Sequence, residues 1–281
     1  MTEFLKCSKL IRHRDLKKSS ERKDSGGCEM KRKMLVVGIL FAFFLSFFTG
    51  ISFAEKPTYI VASDISWPPF EYVDEQGRYV GFDLDVMREI AKIEGYDIKI
   101  VDVAFDSIIP GVVAGKYDIG ASGFTITEKR DEVVDFSDPY WSSDQAILVR
   151  KDSGLNIITA LSQGRTIGAQ RGTTGASWIK ENLIEKGVDV KLKLYETYPM
   201  AVLDLVNGNV DAVIQDEPAS RASVAKEKNI MIAGIIVTGE QFGFLVKEGD
   251  PKGILPKINE GMKKLKASGK WDELVEKYFG K

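Results

Sequence analysis

Short apolar runs alternate with segments of helical periodicity along most of the chain. The runs TYIVAS (58–63) and IKIVDV (98–103) predict strands, and apolar residues recur at helical spacing between them: Leu84, Met87, Ile90 and Ala91. Further strands are predicted at 118–122, 146–150, 165–170, 210–215 and 242–246. Helices are predicted near 107–115, 127–133, 174–186, 197–207 and 218–228, and two more close the chain. This alternation predicts an α/β fold with mostly parallel sheets.

A basic and then apolar leader precedes this region. Residues 1–33 carry 11 Lys/Arg, residues 34–54 carry no charge, and the apolar run ends on a small-x-small site. We predict a secretory signal peptide cleaved after Ala54 and translation from Met30 or Met34. Export would be to the periplasm. The alternative is an extracellular protein that an uncleaved leader tethers to the membrane, because the apolar run is long enough to span a bilayer.

The part of the chain that follows the leader has a restricted chemistry. Residues 29–281 contain no His and no Cys, which excludes disulfides, His- or Cys-ligated metals, a Ser-His-Asp triad and a Cys nucleophile. Without residues 1–54, the chain has 28 basic and 36 acidic residues, a net charge of −8. This charge is unfavourable for nucleic acid and favours cationic solutes. We expect no cofactor and no metal.

Polar residues follow several predicted strands, at the ends where α/β proteins bind ligands. Asp64 and Trp67 follow the first strand, and two prolines then fix an extended loop. The alternative roles are a turn Asp and a Trp packed on the surface. Asp216 and Glu217 end another strand, where Asp216 is either a partner for an ammonium group or the N-cap of the next helix.

Arg130 lies in an unfavourable place for a cation. Thr127 is a predicted N-cap, which puts Arg130 in the first turn of a helix, where anions are preferred. This conflict indicates a bound carboxylate, with added backbone donors from Gly123 and Thr125. The alternative is a salt bridge to a neighbouring acidic residue: Asp131, Glu132 or Asp135. The Gly- and Thr-rich segment 169–177 offers further donors but is not a P-loop.

Together these groups are complementary to a free α-amino acid. Arg130 would bind the carboxylate and Asp216 the ammonium, with the side chain directed toward Asp64, Trp67 and Phe105. The chain also resembles the polar amino-acid solute-binding proteins of ABC importers, solute-binding protein family 3. The resemblance covers Thr58 to Phe279 and is carried by long motifs: PPFEYVDEQGRYVGFDLDVMREIAK, FDSIIPGVVAGKYDIGASGFTITEKRDEVVDFSDPY, GTTG, GNVDAVIQDEP and GKWDELVEKYFG.

The resemblance implies a type II periplasmic-binding fold, in which two α/β lobes are joined by a two-segment hinge and close on ligand. The expected organisation is a leader (1–54), lobe 1 (55–143 plus 241–281), lobe 2 (146–236) and crossing segments near 142–145 and 235–240. It also implies a monomer that binds a free L-amino acid and delivers it to a membrane permease.

The resemblance further implies roles for single residues. The backbone of Gly123, and Thr174 from the opposite lobe, would assist Arg130, and Thr125 would bind the ammonium with Asp216. Three residues would surround the distal end of the ligand: Asp64, Ser122 and Gln170. Trp67 and Phe105 would flank the ligand's stem, where aromatic faces suit a guanidinium. Arginine is therefore the favoured ligand, then lysine and then glutamine.

Two alternatives belong to other functional classes. Cyclohexadienyl dehydratases use this fold for acid-base catalysis, for which Glu71 and Glu217 are the candidate residues here. An extracellular amino-acid sensor is the other alternative. We expect a binding protein rather than an enzyme.

Overall fold

The computed structural model describes residues 55–280, so the predicted leader and start codons lie outside the described residues. The strands in chain order are β1 (Thr58–Ser63), β2 (Tyr72–Val73), β3 (Tyr79–Val80), β4 (Asp97–Asp102), β5 (Ile119–Gly120), β6 (Val134–Phe136), β7 (Trp141–Arg150), β8 (Thr166–Gln170), β9 (Lys191–Tyr195), β10 (Ala212–Asp216), β11 (Ile230–Phe242) and β12 (Leu245–Lys247).

Helices alternate with these strands. They are α1 (Phe82–Glu94), α2 (Phe105–Val113), α3 (Glu128–Asp131), α4 (Ile157–Ala160), α5 (Thr174–Ile179), α6 (Tyr198–Val206), α7 (Glu217–Lys226), α8 (Leu255–Ala267) and α9 (Lys270–Phe279). A π-helical turn, Lys180–Ile184, continues α5. Gly269, at φ 78, separates the two closing helices. Within residues 55–280, no helix is both long and apolar enough to span a membrane.

Two five-stranded sheets organise the fold, with orders β4-β1-β5-β12-β6 and β11-β7-β10-β8-β9. The predicted α/β class is confirmed, but the expectation of mostly parallel sheets is wrong. Each sheet has two parallel pairings, β1 with β4 and β5, and β8 with β9 and β10. The other two pairings in each sheet are antiparallel. The reason is that the chain crosses into the second sheet through β7 and returns to the first through β12. Each of these two strands runs opposite to its neighbours.

The predicted strand at 242–246 is also corrected. Phe242 ends β11 in the second sheet, whereas Leu245 begins β12 in the first. The chain turns at Gly243, where a Cβ atom would lie 3.0 Å from Phe136 and 3.1 Å from Ile126. Only glycine fits there without displacing these side chains. Sequence periodicity cannot detect a change of sheet inside one apolar run.

Strands β7 and β11 pair with each other where the crossing segments are predicted. Ile236 is opposite Gln145, and Glu240 is opposite Ser143. The register shifts between Ile236 and Glu240, and the Oδ1 atom of Asp144 accepts the N–H groups of Thr238 and Gly239 at 2.9 Å each. The bulge is thereby held by one side chain. The lobe boundaries themselves stay a prediction.

Apolar side chains cover both sheets. Ile108 and Val112 of α2 are fully buried in the cluster on the first sheet, and Ile167 and Ile214 are fully buried in the cluster on the second. Burial of one such side chain stabilises the fold by about 1.5–3 kcal/mol. These clusters fix the positions of the strand ends, which carry the polar residues described next.

Candidate ligand-binding site

One small cavity lies at the carboxyl ends of β1, β5, β8 and β10. All ten residues predicted to bind a ligand line it: Asp64, Trp67, Phe105, Ser122, Gly123, Thr125, Arg130, Gln170, Thr174 and Asp216. Glu71, Thr173 and Tyr198 line it as well. The cavity volume is about 20 Å³, which is room for about one water molecule. The structure therefore brings the predicted residues together in a closed arrangement, and their contact with a ligand stays a prediction.

Arg130 points along the cavity from the start of α3. The hydroxyl of Thr127 accepts the Arg130 N–H at 3.3 Å, which confirms the predicted N-cap. The guanidinium donates from Nη1 to the Thr125 carbonyl at 2.7 Å and from Nη2 to the Gly172 carbonyl at 3.0 Å. Within residues 55–280, no carboxylate oxygen lies within 4.0 Å of it. The alternative of a salt bridge to a neighbouring acidic residue is therefore excluded.

The surroundings of Arg130 favour an anion. Its guanidinium carbon lies 5.6 Å from the ring centre of Phe105 and 5.5 Å from that of Phe124. These two rings stack at 4.6 Å. Burial lowers the pKa of Arg130 to about 10, because the charged form loses hydration there. A partly desolvated cation whose direct protein partners are carbonyl groups is well suited to a carboxylate.

A second polar group forms where the two sheets meet. The Nε2 atom of Gln145 donates to Oδ1 of Asp216 and to Oε1 of Glu240, at 3.2 Å each. The hydroxyls of Thr125 and Thr174 donate to Oε2 of Glu240 at 2.7 and 2.8 Å. Burial, and then the charge of Glu240, raise the pKa of Asp216 to about 8. The charge of Glu240 therefore gives this part of the cavity a negative potential.

Asp64 lies at another part of the cavity wall, at the end of β1. Its carboxylate accepts the Ser66 hydroxyl at 2.7 Å and the Gln170 amide at 2.5 Å. Burial raises its pKa, and the charges of Asp102 and Glu196 raise it further. Within the described residues, no Lys or Arg nitrogen lies within 4.0 Å of this carboxylate. Asp64 is thus a buried acid that lacks a cationic partner.

A buried layer supports the wall of the cavity. The Ser122 hydroxyl donates to Glu71 at 2.6 Å and accepts the Asp64 N–H at 3.1 Å. The Gly123 N–H donates to Asp83 at 2.9 Å, so the prediction that this group binds the ligand carboxylate is corrected. Burial raises the pKa of Asp83 to about 7, and burial next to Asp83 raises the pKa of Glu71 well above its usual value. These carboxyl groups position Ser122 and Gly123.

Aromatic rings form the apolar part of the wall. Trp67 stacks on Phe70 at 4.7 Å and lies 6.5 Å from Tyr198. Gly123, at φ 54, touches the Trp67 ring so closely that a Cβ atom there would lie 2.1 Å from it. Because glycine permits both the dihedral angle and the approach, it lets Trp67 reach the cavity.

Five residues of the site were not predicted as binding residues: Glu71, Gln145, Thr173, Tyr198 and Glu240. Thr173 and Glu71 lie inside motifs that carry the family resemblance, so predicted binding residues are close to them in the sequence. Gln145 and Glu240 lie within strands β7 and β11, and Tyr198 begins α6. Nothing in the local sequence distinguishes these three from structural residues.

Comparison with known proteins assigns the family. Residues 59–281 match the model of the bacterial extracellular solute-binding proteins, family 3. The chain belongs to this family. The ABC transporter arginine-binding protein 1 of Escherichia coli K12 is 31% identical to this solute-binding protein, over 88% of this chain and 99% of the relative. The histidine-binding periplasmic protein of Salmonella typhimurium is 30% identical, over 89% and 97%.

Solved structures support the same two-lobe periplasmic-binding fold for this solute-binding protein. An ancestral arginine-binding protein bound to arginine is 36% identical, with a TM-score of 0.74, and covers 80% of this chain and 99% of its own. A structure of an ancestral arginine-binding protein bound to glutamine has the same identity and TM-score, over 81% and 100%. The predicted fold class and family are thereby confirmed.

Proposed function

We propose that the protein is the amino-acid-binding component of an ABC importer. The observation that carries this proposal is Arg130, whose guanidinium faces the cavity with carbonyl partners and no carboxylate within 4.0 Å among residues 55–280. Asp216 lines the same cavity. One cation and one acid that lie apart are the groups needed to bind the carboxylate and ammonium of an α-amino acid.

The preferred ligand is a basic amino acid, with arginine first, lysine second and glutamine third. Asp64 adds a further acid without a cationic partner, and Asp102 and Glu196 increase the negative potential around it. Trp67 and Phe105 offer ring faces on which a guanidinium can stack. The arginine-binding relative supports arginine as a ligand, and the ancestral structure with bound glutamine supports keeping glutamine among the candidates.

Ligand binding is coupled to closure of two lobes, which we place at 55–143 plus 241–281 and at 146–236. Several contacts join the first sheet's residues to those of the second. Gln170 donates to Asp64, Arg130 donates to Gly172, and Arg171 lies 3.7 Å from Asp106. A ligand that contacts both sides stabilises the closed form, which a membrane permease can recognise. We propose that the protein acts in the periplasm as a monomer.

Catalysis is not part of this proposal. Of the two candidate acids, Glu217 forms an ion pair with Arg221 on the outer side of α7 and does not line the cavity. Glu71 does line it but is fully buried, and it accepts a hydrogen bond from Ser122. The named relatives are binding proteins.

Calorimetry on refolded, ligand-stripped protein tests the ligand assignment. We expect arginine and lysine to bind, with arginine tighter, because both place a cation near Asp64. Glutamine should bind more weakly, since its amide carries no charge. Micromolar binding of glutamine with no heat from arginine or lysine would contradict the assignment, and no heat from any amino acid would contradict amino-acid binding itself.

Arginine binding should release a proton from Asp216. Burial and Glu240 raise the pKa of Asp216 to about 8, so at pH 7 this carboxyl is mostly protonated in the ligand-free protein. An ammonium favours the charged form, so the affinity should rise roughly tenfold from pH 6 to pH 7 and level off above about pH 8. Calorimetry in buffers of different ionisation enthalpy measures the released proton. Deamino-arginine, which lacks the α-ammonium, is the control, and equal release with both ligands would refute the role of Asp216.

A further inference from the structure

Glu240 lies on β11, within the second predicted crossing segment, and its carboxylate is hydrogen-bonded to two residues that line the cavity. It accepts hydrogen bonds from Thr125, which follows β5, and from Thr174, which begins α5, at 2.7 and 2.8 Å. Its other oxygen accepts the Gln145 amide, which comes from β7. One half-buried carboxylate thus contacts side chains from both sheets.

These contacts determine what the two hydroxyls can offer a ligand. A hydroxyl has one hydrogen to donate and two lone pairs. Because Thr125 and Thr174 both direct their hydrogen to Glu240, each presents lone pairs to other groups. Lone pairs accept from an ammonium but repel a carboxylate. In this arrangement the Thr174 hydroxyl is therefore an acceptor, whereas the resemblance implies that Thr174 helps Arg130 to bind the carboxylate.

The charges near these two hydroxyls also favour an ammonium over a carboxylate. The Gln145 amide joins Glu240 to Asp216, so two carboxylates lie on either side of one neutral donor. Within the described residues, no Lys or Arg nitrogen comes within 4.0 Å of either carboxylate. Tyr198, which is 3% exposed, also lines the cavity, and its hydroxyl has no hydrogen-bond partner within this part of the chain. Two acids, two acceptor hydroxyls and an unpaired hydroxyl therefore surround one region.

We propose that Glu240 is a specificity-determining residue that, together with Asp216, forms a two-carboxylate receptor for the α-ammonium of the ligand. This inference rests on the proposed function as an amino-acid-binding protein. An ammonium group has three N–H donors, and its positive charge is the counter-charge that the two neighbouring carboxylates lack. Arg130 binds the carboxylate separately, so the receptor selects amino acids from other carboxylic acids.

The test compares two ligands in two proteins. Arginine and deamino-arginine share the carboxylate and the guanidinium, and only arginine has the ammonium. We expect Glu240→Gln to weaken arginine roughly 10- to 100-fold, because a charged hydrogen bond is lost. Deamino-arginine should change by less than about 3-fold, as expected for sites that do not interact. Calorimetry measures both affinities.

The matched control is Glu248→Gln, which removes the same charge from an exposed position after β12 and should leave both affinities unchanged. Glu240→Asp retains the charge and should retain more affinity for arginine than Glu240→Gln. Thermal unfolding of the ligand-free proteins detects whether Glu240→Gln folds poorly. In that case Glu240→Asp still tests the role of the charge. If deamino-arginine binds too weakly to measure, a double-mutant cycle of Glu240→Gln with Asp216→Asn decides. Because both carboxylates contact the same ammonium, the losses of arginine affinity in the two single variants should not add in the double variant.

Several outcomes would overturn the inference. These are equal weakening of both ligands by Glu240→Gln, unchanged arginine binding in that variant, or additive losses in the cycle with Asp216→Asn. If wild-type protein binds no amino acid, the proposed function fails instead. The two failures are distinct, because the first requires that wild-type protein binds arginine.

Discussion

Arg130→Ala is expected to weaken arginine, lysine and glutamine by a similar factor, roughly 100- to 1,000-fold. The α-carboxylate is common to all three ligands, and Arg130 is the cation that faces the cavity. Its two carbonyl contacts hold the guanidinium in place but leave its charge unbalanced. Removal of the side chain leaves a ligand carboxylate desolvated without a counter-charge. Calorimetry with each amino acid measures the loss.

Two variants define the origin of this effect. Lys129→Ala removes an adjacent exposed cation and should leave the affinities unchanged. Arg130→Lys keeps the charge but loses the planar fork, so it should restore only part of the affinity. Thermal unfolding of each ligand-free variant separates lost binding from lost folding. Strongly unequal losses among the three ligands would mean that Arg130 contacts their side chains instead.

Asp64→Asn is expected to change selectivity rather than overall affinity. Arginine and lysine should weaken roughly 10- to 100-fold, because a buried carboxylate contributes a charged hydrogen bond to a cation. Glutamine should change by less than about 3-fold, since an asparagine can still accept from Gln170 and still meets a neutral amide. The measured quantity is the ratio of the arginine and glutamine affinities by calorimetry.

The control for this change is Asp97→Asn. Asp97 is exposed at the start of β4, so its replacement alters the net charge equally and leaves the cavity untouched. Its affinities should match those of the wild-type protein. Equal losses of arginine and glutamine in Asp64→Asn would place Asp64 away from the distal end of the ligand.

Local rules were sufficient to find much of the candidate site. A cation in the first turn of a helix conflicts with the helix dipole, and this alone singled out Arg130. Asp64 and Asp216 were indicated because Asp64 follows β1 and Asp216 ends β10, and both residues line the cavity. Family resemblance supplied Ser122 and Gln170, which have no local pattern of their own.

The remaining features of the site and of the fold depend on tertiary contacts. Gln145 and Glu240 become neighbours only because β7 and β11 pair across a shifted register, and their distance along the chain gives no hint of this. The same return of the chain makes half of the pairings in the two five-stranded sheets antiparallel, which an alternating pattern does not predict. The Gly123 N–H was assigned to a ligand because the approach of Asp83 from α1 cannot be inferred from periodicity.

The layout of the cavity also bears on how such proteins diversify. The groups assigned to the common part of an amino acid, Arg130, Asp216 and Glu240, come from α3, the end of β10 and the interior of β11. Of those assigned to its variable part, Asp64 follows β1 and Gln170 ends β8. Because different backbone segments carry the two sets, substitutions at the second set leave the first in place. A lineage with this architecture can change the amino acid that it binds through a few substitutions, without altering the contacts to the α-carboxylate and α-ammonium.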